Sequence, residues 1–255
     1  MPILPEKEPK SDIAVVCHLY HLSLADEFRW YFGNIRRPYD LILTVQPHHE
    51  DEVRALFPAA IVVPAPNRGR DIGAFFHVVE YMKRYRVVCK VHTKVSDHRG
   101  PNMWRNYLLT NLLGSPKRVE EVLSAFDRPS VGVVCAQIFP ELRSFVERDC
   151  WGPNFEMCRF LGQKMGVLLV KNKKVSFPVG SMFWFLVSAM QPLFDMGLTA
   201  SDFPEGAGGT DGEIQHAIER LFVVATQKQG YVNHILPEIS VPLAEETLLL
   251  MADLV

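Results

Sequence analysis

Four stretches of the chain gather residue types that carry chemistry. The first, NRGRDIGAFF from Asn67 to Phe76, sets Arg68 and Arg70 among two glycines at the expected start of a helix. Guanidinium charge, close backbone approach and a helix N-terminus together suit a phosphate-bearing ligand. The same residues also describe an ordinary strand-to-helix turn, with Asp71 capping the helix and both arginines in solvent. The pattern is neither GxGxxG nor a P-loop. The second stretch, KVHTKVSDHR from Lys90 to Arg99, ends an apolar run. Open parallel sheets bind ligands at their carboxyl edge, so His92 and Lys94 are expected to face the same crevice as Arg68 and Arg70. Four basic groups there imply an anion, or else a solvated charged loop. Zinc on His92, Asp97 and His98 fits no common ligand spacing, and no cysteine joins them.

The third stretch, DFPEGAGGTDGEIQHAIER from Asp202 to Arg220, places carboxylates and one histidine around a glycine-rich loop and a helix start. Asp211 is expected at the N-cap or in the first turn, where the helix favours its ionised form. Asp211, Gln215 and Glu219 share one helix face with His216 beside it, which fits either a positioned general base or an aspartate cap. The fourth stretch is WGPN, Trp151 to Asn154, with Phe183 and Trp184 of PVGSMFW as expected neighbours. Aromatic faces beside amide donors suit a sugar ring, and buried core tryptophans fit the same pattern.

These residues need a scaffold. Strand-length apolar runs recur at Ile13 to Leu19, Leu41 to Val45, Ile61 to Val63, Val87 to Val91 and Val131 to Ile138. Amphipathic segments separate them: Leu22 to Asn34, Ile72 to Arg84, and Trp104 to Phe126 with a break at Gly114, Ser115 and Pro116. This is the βαβ rhythm of an α/β fold, a mostly parallel central sheet flanked by helices. Further on, Phe139 to Gly152 reads as loop and Phe155 to Met165 as helix. Val175 to Trp184 reads as a buried strand interrupted by Pro178 and Gly180. Asp211 to about Phe222 reads as a helix with an apolar stripe. Residues 1–11 read as a lead-in, 12–235 as one domain and 236–255 as a closing segment in which Leu243 to Val255 packs rather than lies on a membrane.

Composition bounds the partners. The 255 residues carry 27 Lys and Arg against 29 Asp and Glu, a net charge of -2, and 48% are hydrophobic. Such a chain is globular and offers no global field for nucleic acid, so any anion site is local. Five cysteines without CxxC spacing read as buried thiols of a cytosolic protein. No apolar run approaches the ~20 residues of a membrane span, and the first dozen residues lack a signal-peptide core. The expectation is a soluble, cytoplasmic protein.

In this order the blocks HLYH, TV, NRGRDIGAF, VCKVHTKVSDH, WR…LLGS, WGPN, PVGSMFW and DGEIQHAIERL, spanning residues 13 to 222, resemble the rhamnan synthesis protein F family of bacterial polysaccharide glycosyltransferases. The resemblance implies a GT-A-like, Rossmann-type fold. It also implies L-rhamnosyl transfer from dTDP-L-rhamnose to a polysaccharide or lipid-linked glycan at the inner face of the cytoplasmic membrane, with peripheral association there or with polysaccharide assembly proteins. His18, Tyr20 and Thr44 would then line a nucleoside pocket, and Asn67, Arg68, Gly69, Arg70 and Asp71 would cradle ribose and diphosphate. GT-A enzymes carry a DxD-type metal motif where this chain has His92, Thr93 and Lys94. Cationic side chains are therefore expected to stabilise the leaving diphosphate without a cofactor, although a divalent metal stays admissible. Asp211 is the expected base, with Glu213 and Asp202 as alternates and His216 against the base or the diphosphate. Trp151, Asn154 and Asp202 are expected on the acceptor side. Transfer from another sugar nucleotide, or a non-catalytic sugar-binding module, remains an alternative.

Overall fold

The strand-length runs assemble into one sheet in the computed structural model, which describes residues 8–93, 102–206, 209 and 211–239. Lys94, Asp97, His98 and the closing segment beyond Ile239 lie outside the described residues. The strands are β1 (Ile13–Leu19), β2 (Asp40–Val45), β3 (Ile61–Pro64), β4 (Val87–His92), β5 (Val131–Cys135), β6 (Phe183–Leu186) and β7 (Val232–Ile235). Among the described residues they form a seven-stranded sheet in the order β3-β2-β1-β4-β6-β5-β7. β1 to β4 are mutually parallel, β5 and β7 pair in parallel, and β6 runs antiparallel between β4 and β5. The fold is the expected Rossmann-type α/β class, with one reversed strand.

The helices are α1 (Ala25–Phe32), α2 (Glu50–Leu56), α3 (Arg70–Phe76), α4 (Val79–Met82), α5 (Met103–Leu113), α6 (Pro116–Ala125), α7 (Pro140–Arg148), α8 (Phe155–Lys164), α9 (Gln191–Phe194) and α10 (Ile214–Lys228). β1 is buried along its whole length, as a strand covered on both faces must be. Its alternate residues separate into two cores. Ala14 and Val16 join Phe75 of α3 and Ile218, Leu221 and Phe222 of α10. Val15 and Cys17 join Leu109 and Leu112 of α5 and Val119 and Val122 of α6. The break before Pro116 is a helix boundary: Ser115 accepts the Arg118 N–H as the N-cap of α6.

Several boundaries differ from the sequence reading. Phe139 to Gly152 holds helix α7, with Pro140 at its start, and none of its residues is buried. Its apolar residues, Leu142, Phe145 and Val146, are outnumbered by charged ones, and Leu142 and Val146 are only partly buried against the cores. From Val175 to Trp184, pairing begins only at Phe183, because Gly180 and Ser181 turn the chain with φ of 95° and 58° and Pro178 lacks an N–H. The Ile72 to Arg84 segment divides into α3 and α4, and β5 stops at Cys135. All five cysteines are buried and unpaired. Burial pushes the thiols of Cys135 and Cys158 up to about 12, which makes them inert. Among the described residues, no helix is long and apolar enough to cross a membrane.

Candidate active site

Parallel register aligns His18 with Thr44 on one side and with His92 on the other, so the three form a row across the carboxyl ends of β2, β1 and β4. His18 Nδ1 lies 3.1 Å from Thr44 Oγ1 and 3.2 Å from its carbonyl oxygen. One pleat earlier on the same face, Lys90 is 1% exposed. Its Nζ donates to Asp71 Oδ2 at 2.6 Å and to Ser181 O and Oγ at 2.9 Å, and sits 5.5 Å from the Phe75 ring centre. Nδ1 of His92 is 3.4 Å from the same Asp71 oxygen. Burial opposes ionisation of Asp71, but the facing His92 and Lys90 outweigh it and hold the carboxyl well below its usual range. Burial pushes His18 down to about 4, so its ring is neutral at neutral pH.

This arrangement is a closed floor. The space among His18, Thr44, Asp71 and Lys90 has no room even for a water molecule, far from the ~300 Å3 at which small-molecule pockets begin. His18 and Thr44 therefore underlie the crevice instead of lining a nucleoside pocket. Tyr20 projects beyond them, 39% exposed, with its backbone N–H bound to Thr93 Oγ1 at 2.8 Å. Asp71 neither caps α3 nor meets a diphosphate, because its charge is committed to Lys90. Lys90 went unassigned in the sequence reading, although a lysine inside VVCKVH was itself a signal: a doubly buried strand tolerates an ammonium only where a carboxylate meets it.

The NRGRD turn is tied down differently from a phosphate cradle. Gly69 and Arg70 are consecutive left-handed residues, with φ of 64° and 54°. A Cβ on Gly69 would come within 2.5 Å of the Phe203 ring, so glycine is required there. Arg68 Nε donates to Ala200 O at 3.0 Å and Phe203 O at 2.9 Å, and its Nη1 meets the Glu205 carboxylate. Gly69 N donates to Pro204 O, and Gly206 N donates to Asn67 O. Asn67, Arg68 and Gly69 thus clasp the 200–206 segment, which corrects their assignment to a diphosphate cradle. Arg70 reaches the other way, donating to Gly209 O at 2.9 Å. Asp202 accepts from Thr199 N and Oγ1, closing a helical turn at Ala200–Asp202, so its carboxylate is a cap.

Asp211 stands in a turn ahead of α10, whose N-cap is Glu213. Glu213 and His216 cap the helix reciprocally, and the Glu213 N–H points to His216 Nδ1 at 3.4 Å. The Gly209 N–H bond holds Glu213 below the usual carboxylate range. Burial lowers the His216 pKa, with Asp211 opposing. Fully buried Asn154 orients Asp211. Its Nδ2 donates to Asp211 Oδ1 at 2.6 Å and to Trp151 O at 3.0 Å, while its Oδ1 accepts the Gly212 N–H at 3.0 Å. Asp211 Oδ2 faces Arg220 Nη2 at 3.8 Å, and the side chain is 34% exposed. Arg220 in turn donates to Cys150 O and His216 O and stacks 5.1 Å from the Phe177 ring centre.

The expected sugar platform is not formed. Trp151 is 2% exposed with its indole N–H on Lys173 O at 3.1 Å, and Trp184 is fully buried. Both tryptophans belong to the core. Glu219 accepts the Gly180 N–H at 2.8 Å, next to the Ser181 that holds Lys90, so one turn ties the cationic floor to α10. Ser181, Glu219 and Arg220 were unassigned in the sequence because their partners are distant in it. For a divalent ion at the end of β4 the donor set does not fit, because the Asp71 oxygen there is already bonded to an ammonium. Among the described residues, no group of three or more His, Cys, Asp or Glu could hold a metal ion.

The geometry defines a Rossmann-type α/β protein with a buried floor of His18, Thr44, Lys90 and His92 at the carboxyl ends of its parallel strands, and with the oriented Asp211 carboxylate in the turn before α10. The model of the rhamnan synthesis protein F family matches residues 3–231, and the chain belongs to this family of polysaccharide synthesis. It is 34% identical over 225 residues to the "Uncharacterized protein WxcX" of Xanthomonas campestris pv. campestris strain B100, and 33% over 224 residues to that of strain ATCC 33913. Each match covers 85% of this chain and 32% of the relative, so the chain spans about a third of the length of the curated relatives it matches. Similar solved structures include the 4-diphosphocytidyl-2C-methyl-D-erythritol synthase of Anaerococcus prevotii DSM 20548, with TM-score 0.48, 9% identity and 96% of each chain covered. A CMP:2-keto-3-deoxy-manno-octonic acid synthetase complexed with CTP gives TM-score 0.45 and 11% identity, with 95% of this chain and 99% of that one covered.

Proposed function

We propose that the chain is a glycosyltransferase domain that takes a sugar from a nucleotide-sugar donor and attaches it, with inversion, to a polysaccharide or lipid-linked glycan, with dTDP-L-rhamnose the first donor to test. The observation that carries the reading is the Asp211 carboxylate. One oxygen is fixed by buried Asn154, and the other stands on a partly exposed edge with Arg220 beyond hydrogen-bond range. An acceptor hydroxyl bonded to Oδ2 would give its proton to Asp211 while its oxygen attacks the anomeric carbon and the bond to the diphosphate breaks. A single inverting displacement needs one such base.

Arg70, His92 and Lys94 are the basic residues assigned to the departing diphosphate, and transfer proceeds in this reading without a divalent metal. Tyr20, exposed past the strand ends, is the aromatic assigned to the donor's base. Membership of the family supports the reaction class, and the oriented carboxylate supports the role of Asp211.

The test is a panel of sugar nucleotides scored by thermal shift and by release of nucleoside diphosphate, with and without chelator. Asp211→Asn is expected to lower transfer by about 10²–10⁴-fold with the donor-induced shift retained. No response to any sugar nucleotide would refute the reading, and strict dependence on Mg²⁺ or Mn²⁺ would refute its metal-free form.

A further inference from the structure

An exposed apolar tip follows α8. Past Gly166, with φ of 71°, the chain folds back on the helix: Val167 N donates to Gly162 O, Leu169 packs on Gly162, and Lys171 Nζ lies 6.0 Å from the Phe155 ring centre. Burial alternates along 167–170. Val167 and Leu169 pack against the core, while Leu168 and Val170 turn outward, 78% and 56% exposed.

Charge surrounds this tip. Lys164, Lys171 and Lys173 are all exposed. Lys228, at the end of α10, brings its ammonium close to Gly166, 3.3 Å from where a Cβ would stand. Leu168, Val170, Lys173 and Lys228 border one hollow of about 360 Å3, and no carboxylate is among its described lining residues. The chain as a whole carries -2, so this basic excess is local.

Two outward aliphatics are too little apolar surface for a stable protein interface, which takes about 800 Å2 per partner. Neither has a ring on which a nucleic-acid base would stack. Shallow insertion into a lipid interface, with lysines at the level of the phosphates, requires no more than what stands here. We propose that this surface docks the protein onto an anionic bilayer, with Leu168 and Val170 entering the interface and Lys164, Lys171, Lys173 and Lys228 facing lipid phosphates. The inference stands apart from the role given to Asp211. It has a geometric consequence for that residue, because the Trp151 indole holds Lys173 O while Trp151 O and Asp211 share the Asn154 amide. Docking through the loop would set the Asp211 turn at a fixed height from the lipid.

The test is co-sedimentation of the full chain with phosphatidylcholine vesicles with and without 30% phosphatidylglycerol. Binding is expected to the anionic vesicles alone and to weaken as salt rises. Each lysine near such a surface is worth about fivefold, so K171E with K173E, a change of four charges, should weaken binding on the order of 100-fold or more. Leu168→Ser with Val170→Ser should weaken it about tenfold. All four positions are exposed, so thermal midpoints should match the parent; where one falls, Lys171→Gln with Lys173→Gln replaces the reversal. Emission from Leu168→Trp should be quenched by brominated acyl chains. Absence of vesicle binding, equal binding to neutral vesicles, binding indifferent to these substitutions, or no quenching would each overturn the proposal.

Discussion

Replacing Lys90 with methionine keeps the aliphatic stem and removes the charge. Asp71 would then lose its 2.6 Å ammonium partner, and Ser181 O and Oγ would lose their 2.9 Å donor. Breaking one side of a buried ion pair costs about 3–5 kcal/mol, because the other charge stays behind. At about 2–4 °C per kcal/mol for a chain of this size, the unfolding midpoint falls by roughly 6–20 °C. Lys90→Met with Asp71→Asn should cost less than Lys90→Met alone, because no charge is left without its partner. The pH dependence has a fixed sign. Native Asp71 is held below its unfolded value of 3.8, so its contribution is complete above that pH and is lost as the pH falls further. Without Lys90 the carboxyl titrates at a higher pH than in the parent. The stability gap between the two proteins therefore narrows as the pH falls. Urea unfolding followed by circular dichroism at pH 7, 5 and 4 measures it. A loss below about 1 kcal/mol at pH 7, or a gap that widens in acid, would refute a floor built on this pair.

His18, neutral in the fold with a pKa near 4 against 6.5 unfolded, contributes stability that is complete above pH 6.5 and lost as the pH falls toward 4. A shift of that size corresponds to about 3 kcal/mol, so His18→Gln should flatten the acid limb of a urea-stability titration over that window. Asn154 acts through Asp211: Asn154→Ala should lower kcat roughly 10–100-fold with little change in donor KM. It should lower it no further in an Asp211→Asn background, since residues of one network are not additive.

The parallel half of the sheet was legible because its strands are buried on both faces and read as unbroken apolar runs. The α7 helix was not, because it is short, none of its residues is buried, and its three apolar side chains are outnumbered by four charged ones. The same distinction governs the site. An arginine that clasps carbonyl oxygens and one that binds phosphate look alike in sequence, since both are exposed-tolerant cations beside glycine, and only the carbonyls of Ala200 and Phe203 decide between them for Arg68. Asp211 stood out by its glycines, but the amide that orients it lies 57 residues away. Lys90 is the opposite case. A buried ammonium has few physically tolerable surroundings, so its place in an apolar strand demands a carboxylate within reach, and Asp71 opens the helix on that same face. Residues whose burial is costly therefore reveal their partners from sequence, whereas residues at ease in solvent do not. For this reason the floor of the crevice is more firmly determined than the groups standing above it, and perturbing that floor tests the architecture independently of any substrate.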